Sequence, residues 1–243
     1  VELGPVFANL VLADEINRAP AKVQSALLEA MAEGQVSIGA TTYPLPKPFQ
    51  VLATQNPIES EGVYQLPEAQ RDRFLMRIVV DYPTESEELE ILHRMSVDPP
   101  HSRAVLTTDD VLELQAAADG VFVHHAVAQY AVRLVVSTRE PERYGLGMIK
   151  PHVEFGVSPR ATLGLVAAAR ALALMRGRDY VLPHDVTDLA ADVLAHRLVL
   201  SFEAVAEGVD PRHVVEQVLR VVPAPQVAPH DTHGDVPGTA QGT

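Results

Sequence analysis

A short apolar run that ends on two acidic residues constrains the fold more than any other feature of this sequence. Residues 7–13 are almost all apolar, and Asp14 and Glu15 follow them directly. Such a run is typical of a strand in a parallel sheet that is covered on both faces. Because α/β folds bind ligands at the carboxyl ends of parallel strands, the two carboxylates lie where a ligand site is expected.

The segments that follow alternate between helix and strand patterns. Pro20 precedes a helical apolar face that ends at Gly34. Residues 36–45 alternate in polarity around Gly39, which predicts a hairpin with glycine in its turn. Three further segments are predicted as a buried strand at 49–54, a short helix at 67–74 and a strand at 76–80. Strands that alternate with helices predict an α/β layer.

Beyond Pro83 the pattern is helical almost throughout. Thr84 and Glu87 form a capping box that opens a helix to about Met95. Further helices are predicted near residues 109–119, 126–138, 158–175, 183–200 and 211–221. From Pro223 onward the sequence has no periodicity, and we expect a disordered tail.

Composition excludes several classes of function. The net charge of −13, without any basic run, argues against direct binding of nucleic acid. The absence of cysteine excludes disulfides and thiolate metal sites, and fits a cytoplasmic protein. No apolar stretch approaches the roughly 18 residues that insertion into a membrane requires. The first residues lack a signal peptide and an initiator methionine, so we expect the sequence to begin within a domain.

The two acidic residues suit phosphoryl transfer. Asp14 can hold a water molecule on Mg²⁺, and Glu15 can orient and deprotonate the attacking water. The predicted strand at 49–54 is also followed by polar amides, Gln55 and Asn56, and an amide there could hold the same water against a γ-phosphate. Each signal has an ordinary alternative, because the acids could cap a strand-to-helix corner and Asn-Pro is a common turn.

Several segments together resemble the MoxR-type AAA+ ATPases. In the order of that family, they are similar to the Walker B strand and its following helix (13–22 and 27–31), sensor 1 (53–59), the arginine-finger helix (66–74) and sensor 2 (158–161). The resemblance covers roughly residues 4–201. It implies a partial AAA+ P-loop NTPase core with a parallel sheet and helices at residues 1–82, an all-α lid at 83–222 and a tail at 223–243.

The resemblance also implies a role for each matching residue. Asp14 would serve Mg²⁺ through water, Glu15 the catalytic water, and Asn56 the γ-phosphate and that water. Arg73 would reach the nucleotide of the neighbouring subunit as the arginine finger. Arg160 would contact the nucleotide from the lid of its own subunit.

The assignment of Arg160 has support beyond the resemblance, whereas the assignment of the finger is less certain in the sequence. Arg160 lies in the first turn of a predicted helix, where a cation opposes the helix dipole at a cost of roughly 0.3–1 kcal/mol, so an anionic partner explains it better than helix stability does. A solvated surface arginine is the alternative. Arg71 stands where the family usually has an apolar residue, which leaves open whether Arg71 or Arg73 is the finger. Val63 and Gln65 also depart from the usual Thr and Pro.

One expected motif is missing. No Gly-x-x-x-x-Gly-Lys-Ser/Thr sequence occurs, although this loop supplies the amides and the lysine that bind phosphates. We therefore expect an N-terminally truncated chain that is inactive by itself. A non-catalytic interaction fragment is the alternative from another class, and a magnesium-chelatase-like subunit is a related one. Retention of the candidate site residues argues against the non-catalytic fragment.

The family implies a ring, commonly a hexamer, that uses ATP and Mg²⁺ to remodel or mature client protein complexes, often with von Willebrand factor A-domain proteins. The hairpin at 36–45 resembles the helix-2 insert that faces the pore of such rings; a hairpin that only covers the edge of its own sheet is the alternative. Ile38 and Tyr43 are therefore expected to couple hydrolysis to the client. The histidines, including His124 and His125, lack ligand spacing, which favours structural or surface roles.

Overall fold

Two parallel strands lie at the centre of the N-terminal part in the computed structural model, which describes residues 3–56, 64, 66–96 and 101–227. Strand β1 (Leu10–Ala13) pairs in parallel with β4 (Gln50–Ala53). The pairing continues past the ends of the two strands. The Thr54 N–H donates to the Ala13 carbonyl and the Ile16 N–H donates to the Thr54 carbonyl, each at 3.0 Å. The predicted α/β arrangement with a parallel pair is confirmed.

The strand pair is covered on one face. Ala13 and Ala53 contact a small core formed by Ile16, Leu28 and Leu66, in which helix α1 (Ala21–Glu33) takes part. On the other face, Leu10 and Leu12 are 60% and 64% exposed. The expectation of burial on both faces is wrong, because side chains alternate along a strand and the small core covers the face that carries Ala13 and Ala53.

The predicted hairpin directly follows α1. Helix α1 ends at Gly34, whose φ of 63° suits glycine, and β2 (Gln35–Ile38) pairs antiparallel with β3 (Thr41–Pro44). Gly39 in the connecting turn also has a φ of 63°. The Tyr43 ring packs edge-on against Phe7, with 6.2 Å between ring centroids. The hairpin is therefore in contact with the segment that precedes β1.

The region after β4 departs from two predictions. The short helix is confirmed but reduced to α2 (Glu68–Arg71). Residues 76–80 form no strand and have no regular secondary structure, so that prediction is wrong. No described strand lies beside this segment to complete a ladder; the Arg77 N–H donates instead to the Asp192 carbonyl at 2.9 Å. Val80 is 88% exposed.

The remaining elements are mainly helical. They are α3 (Glu85–Ser96), α4 (Thr108–Asp119), α5 (His125–Arg139), β5 (Val153–Phe155), α6 (Pro159–Met175), α7 (Pro183–Leu194), β6 (Val199–Leu200), α8 (Phe202–Ala206) and α9 (Pro211–Val221). The predicted capping box of α3 is present, with the Thr84 N–H donating to Glu87 at 2.7 Å. A continuous core joins α5, α6, α7 and α9, and Leu134, Leu165 and Leu194 are fully buried in it.

Two predictions for the helical part need correction. The helix expected at 183–200 ends at Leu194, and a 3-10 turn (Ala195–Arg197) follows it. Strand β6 then pairs antiparallel with β5, so the lid is helical but not all-α. The β-branched Val199 favours the extended chain there. Of the expected disordered tail, residues 223–227 have no regular structure and 228–243 lie outside the described residues.

Candidate functional site

Thr54 ties together the carboxyl ends of β1 and β4. Its hydroxyl donates to the Asp14 carboxylate at 2.5 Å and accepts from the Glu15 N–H at 2.9 Å. This places Asp14 at an exposed strand end with its side chain held in one orientation. Sequence reasoning did not single out Thr54, although parallel pairing of the two strands brings the residues that follow them side by side.

Glu15 has an unusual backbone conformation. Its φ of 49° and ψ of 48° are left-handed, and it is the one non-glycine residue with positive φ in the described chain. This conformation costs an ordinary residue roughly 1–2 kcal/mol, and such strain concentrates at functional sites. The hydrogen bonds to Thr54 stabilise the turn, and the Glu15 carboxylate forms an ion pair with Arg18 at 3.0 Å.

Two buried amides connect this turn to the segment that follows β4. Asn17 donates from Nδ2 to the Asn56 carbonyl at 3.4 Å. Gln24 donates from Nε2 to the Ile16 and Tyr64 carbonyls, each at 3.1 Å. Asn17 and Gln24 are 7% and 1% exposed. Sequence reasoning missed both, although Gln24 lies beside the apolar face of α1 and could have been noticed there.

The structure distinguishes the two finger candidates by exposure. Arg73 is exposed and donates from Nη1 to the Leu28 carbonyl of α1 at 3.0 Å. Arg71 is half-buried, and its Nε is buried without a hydrogen-bond partner within the described residues. An arginine that reaches another subunit must be accessible, so exposure favours Arg73.

The Arg160 side chain lies beside an acidic residue of the core. The Ser158 hydroxyl caps α6 by accepting from the Arg160 N–H at 3.2 Å. The same hydroxyl lies 2.9 Å from both carboxylate oxygens of Asp72 and donates to them. The Arg160 guanidinium, 58% exposed, is 4.0 Å from Asp72. Asp72 is thus an acidic group at the limit of ion-pair distance from Arg160.

His196 and Arg197, two buried residues in the 3-10 turn that follows α7, complete this contact. Sequence reasoning missed both. Arg197 donates from Nε to the Asp72 carboxylate at 3.1 Å. Burial lowers the pKa of Arg197, while Asp72 opposes that effect. Burial, with the nearby charge of Arg197, lowers the pKa of His196 to about 4. Its ring nitrogens lie 3.1 Å from the Asp192 carbonyl and 3.2 Å from the Phe74 carbonyl.

The predicted site residues thus form two groups. Asp14, Glu15 and Asn56 lie at the strand ends, whereas Arg73 and Arg160 lie where the core meets the lid. Within the described chain, no hydrogen bond or ion pair joins Arg160 to either acid. The strand end suits Mg²⁺, which takes one or two carboxylates together with waters and substrate phosphates. Asp14 offers that carboxylate, and no set of three ligating side chains occurs in the same described residues.

Comparison with known proteins defines the class of protein. Residues 1–76 match the ATPase family associated with various cellular activities (AAA), and residues 147–218 match the AAA lid domain. A solved structure of a proposed ATPase from Cytophaga hutchinsonii superposes with a TM-score of 0.88 and 47% identity, over 93% of this chain and 69% of that one. The fold is therefore that of an AAA+ ATPase core followed by its lid.

Sequence relatives then identify the family. The chain is 60% identical to Chaperone MoxR1 of Mycobacterium tuberculosis over 93% of its own length and 60% of that protein. It is 42% identical to the uncharacterized protein YeaC of Bacillus subtilis over 91% of the chain and 67% of YeaC. It is 33% identical to Protein MoxR of Paracoccus denitrificans over 93% of the chain and 71% of that protein. The chain belongs to the MoxR-type AAA+ ATPase family and spans 60% of the length of MoxR1.

None of the described helices is both long enough and apolar enough to cross a membrane.

Proposed function

We propose that the protein containing this chain hydrolyses Mg²⁺-bound ATP between subunits of a ring and uses the cycle to remodel client proteins. One observation carries the proposal. The exposed Asp14 carboxylate is held by Thr54 at the end of a parallel strand, and Glu15 follows it in a strained, hydrogen-bonded turn. Membership of the AAA+ family, in which such strand ends serve ATP hydrolysis, supports this reading.

The two carboxylates would divide the work at the strand end. Asp14 would hold Mg²⁺ through water, and the bond from Thr54 would keep its carboxylate in one orientation. Bound Mg²⁺ would neutralise charge on the phosphates. Glu15 would orient the attacking water and accept its proton, for which it must leave the ion pair with Arg18. Asn56 would hold the water against the γ-phosphate.

The two arginines would act from different subunits. Arg160 would contact phosphate from the lid of its own subunit, which requires the guanidinium to move away from Asp72. The 4.0 Å separation makes this a weak ion pair, and the exposure of Arg160 leaves the side chain free to turn. Arg73 would complete the neighbouring site by stabilising charge in the transition state.

The assembly and its client belong to the same proposal. We infer a closed ring, commonly of six subunits, because an arginine finger needs a neighbour in every position. The name of the relative Chaperone MoxR1 supports a protein client. Partnership with von Willebrand factor A-domain proteins rests on the family resemblance alone.

The direct test compares two forms of the protein. The 243-residue chain should bind Mg²⁺-bound ATP weakly, because each missing charge-assisted contact from a phosphate loop is worth about 1.5–3 kcal/mol. A form extended at its N-terminus to include a phosphate-binding loop should bind ATP and hydrolyse it. Calorimetry and steady-state phosphate release measure the two properties. Micromolar affinity in the 243-residue chain would refute the first expectation, and an inactive, ring-forming extended protein would refute the proposed ATPase.

A further inference from the structure

The residues on either side of Arg73 are held by the lid. We call residues 72–75 the finger segment. The Arg197 guanidinium donates to the Leu75 carbonyl at 3.0 Å, to the Phe74 carbonyl at 2.5 Å and to the Asp72 carbonyl at 3.4 Å. Its Nε donates to the Asp72 carboxylate at 3.1 Å. A single lid side chain therefore fixes the backbone on both sides of the proposed finger.

Arg197 is fully engaged in this contact. A guanidinium has five N–H groups, and the fifth acceptor is the Val193 carbonyl of α7. The side chain is 3% exposed. Burying a charge is costly unless it is paired and hydrogen-bonded, so this arrangement persists only while the finger segment stays in place. A lysine could supply three donors without the planar geometry, and so could not reproduce the contact.

Close packing supports the same contact. His196 reaches the Phe74 carbonyl at 3.2 Å. A Cβ added to Gly164, inside α6, would lie 3.1 Å from Cδ1 of Leu75 and 3.8 Å from an Arg197 nitrogen. Glycine inside a helix costs roughly 0.5–1 kcal/mol relative to alanine. Here it lets α6 approach the finger segment closely.

We propose that Arg197 is a positioning residue through which the lid sets the reach of Arg73 into the neighbouring subunit. Asp72 is the other residue of this core–lid contact. Its carboxylate accepts hydrogen bonds from Arg197 and Ser158 and lies near the Arg160 guanidinium. A lid that moves when Arg160 engages nucleotide would then move the finger of the same subunit. The inference rests on the proposed function, in which Arg73 acts in trans.

Mixed rings separate positioning from a general structural role. The test uses the N-terminally extended protein with Arg197→Lys or Asp72→Asn. Each uniform ring should lose about tenfold to a hundredfold in turnover, while the KM for ATP changes less than about twofold. Mixing either variant with Glu15→Gln subunits should restore activity, because the variant keeps its own catalytic acid and borrows an intact Arg73. The exposed lid substitution Arg220→Gln is the matched control and should change neither quantity.

The reference for every mixture is Arg73→Ala with Glu15→Gln. If that pair recovers activity but the Arg197→Lys and Asp72→Asn mixtures do not, the positioning role is overturned and the proposed function stands. If the reference pair also stays inactive in confirmed mixed rings, the in-trans finger itself is wrong. If the Arg197→Lys and Asp72→Asn variants both fail to fold or assemble, the contact is structural and the inference is likewise overturned.

Discussion

The hydroxyl of Thr54 lies 2.5 Å from a carboxylate oxygen of Asp14, across the ends of two parallel strands. The hydroxyl oxygen of Thr54 also accepts a hydrogen bond from the Glu15 N–H at 2.9 Å. One side chain from β4 thus orients the proposed Mg²⁺ carboxylate and supports the strained backbone of the proposed base. The positions of Asp14 and Glu15 therefore depend on β4 as well as on β1.

Replacing Thr54 by valine should weaken the response to Mg²⁺. Valine keeps the shape of the side chain but removes the hydroxyl, and a hydrogen bond to a charged group is worth about 1.5–3 kcal/mol. In the N-terminally extended protein, the Mg²⁺ concentration for half-maximal hydrolysis should rise about tenfold. Thr54→Ser keeps the donor and should stay close to wild type. A valine variant with an unchanged Mg²⁺ titration would show that Asp14 needs no such support.

Replacing Glu15 by glutamine should preserve nucleotide binding and abolish turnover. Glutamine has the same length, so the left-handed turn is equally strained in both proteins, while the base is lost. General-base catalysis typically contributes about 10²–10⁴-fold, and the rate should fall by that amount. Glu29→Gln on the exposed side of α1 is the control for loss of one charge. Steady-state hydrolysis that survives Glu15→Gln would assign the base elsewhere.

Stability should depend on the protonation of His196. Burial and the Arg197 charge depress its pKa to about 4 in the folded chain, against an ordinary value near 6.5. The unfolded chain therefore binds the proton more readily than the folded chain. The contribution of neutral His196 to the free energy of unfolding is complete above pH 6.5 and is lost as the pH falls toward 4. A shift of this size corresponds to about 3 kcal/mol.

Urea unfolding of the 243-residue chain between pH 7.5 and 4 measures this effect. His196→Gln removes the titration, so the free energy of unfolding should fall less steeply with acid than in the wild type. His213→Gln, on an exposed part of α9, is the control and should keep the wild-type slope. Parallel slopes for wild type and His196→Gln would contradict the assignment.

Local patterns predicted the elements that local chemistry determines. The hairpin turn at Gly39, the capping box at Thr84 and the start of α6 after Ser158 each depend on a few neighbouring residues, and each is confirmed. The strand predicted at 76–80 failed for the opposite reason. Apolar residues are compatible with a strand, but a strand forms only where a neighbouring strand provides backbone hydrogen-bond partners.

The core–lid contact could not be predicted from the sequence. Arg197 meets Asp72 across 125 positions, and nothing near either residue specifies the other. The motif resemblance included Asp72 beside Arg73 but gave no indication that its carboxylate is a partner of Arg197. Buried polar pairs of this kind follow from how two cores dock, which periodicity does not encode.

The hairpin offers the last prediction, and the structure separates the two residues that the sequence had grouped. Tyr43 packs edge-on against Phe7, so its ring holds the hairpin against the segment that precedes β1. Ile38 lies next to the turn and is 42% exposed, opposite Thr41 on the partner strand. An isolated two-stranded hairpin is marginal in water, so the Phe7 contact matters for its stability. We therefore predict the client-binding role for Ile38 rather than for Tyr43.

Ile38→Ser in the N-terminally extended protein should leave basal hydrolysis and ring assembly unchanged while it reduces client-stimulated hydrolysis. The reason is that the substitution removes exposed apolar surface without disturbing the core. Thr41→Ser, directly across the strand pair, is the matched control and should keep the stimulation. Tyr43→Ser should instead lower the thermal stability of the hairpin, visible as faster amide exchange across residues 35–44. If Ile38→Ser also loses assembly or unfolds, the turn is a structural element and the client-binding role must be abandoned.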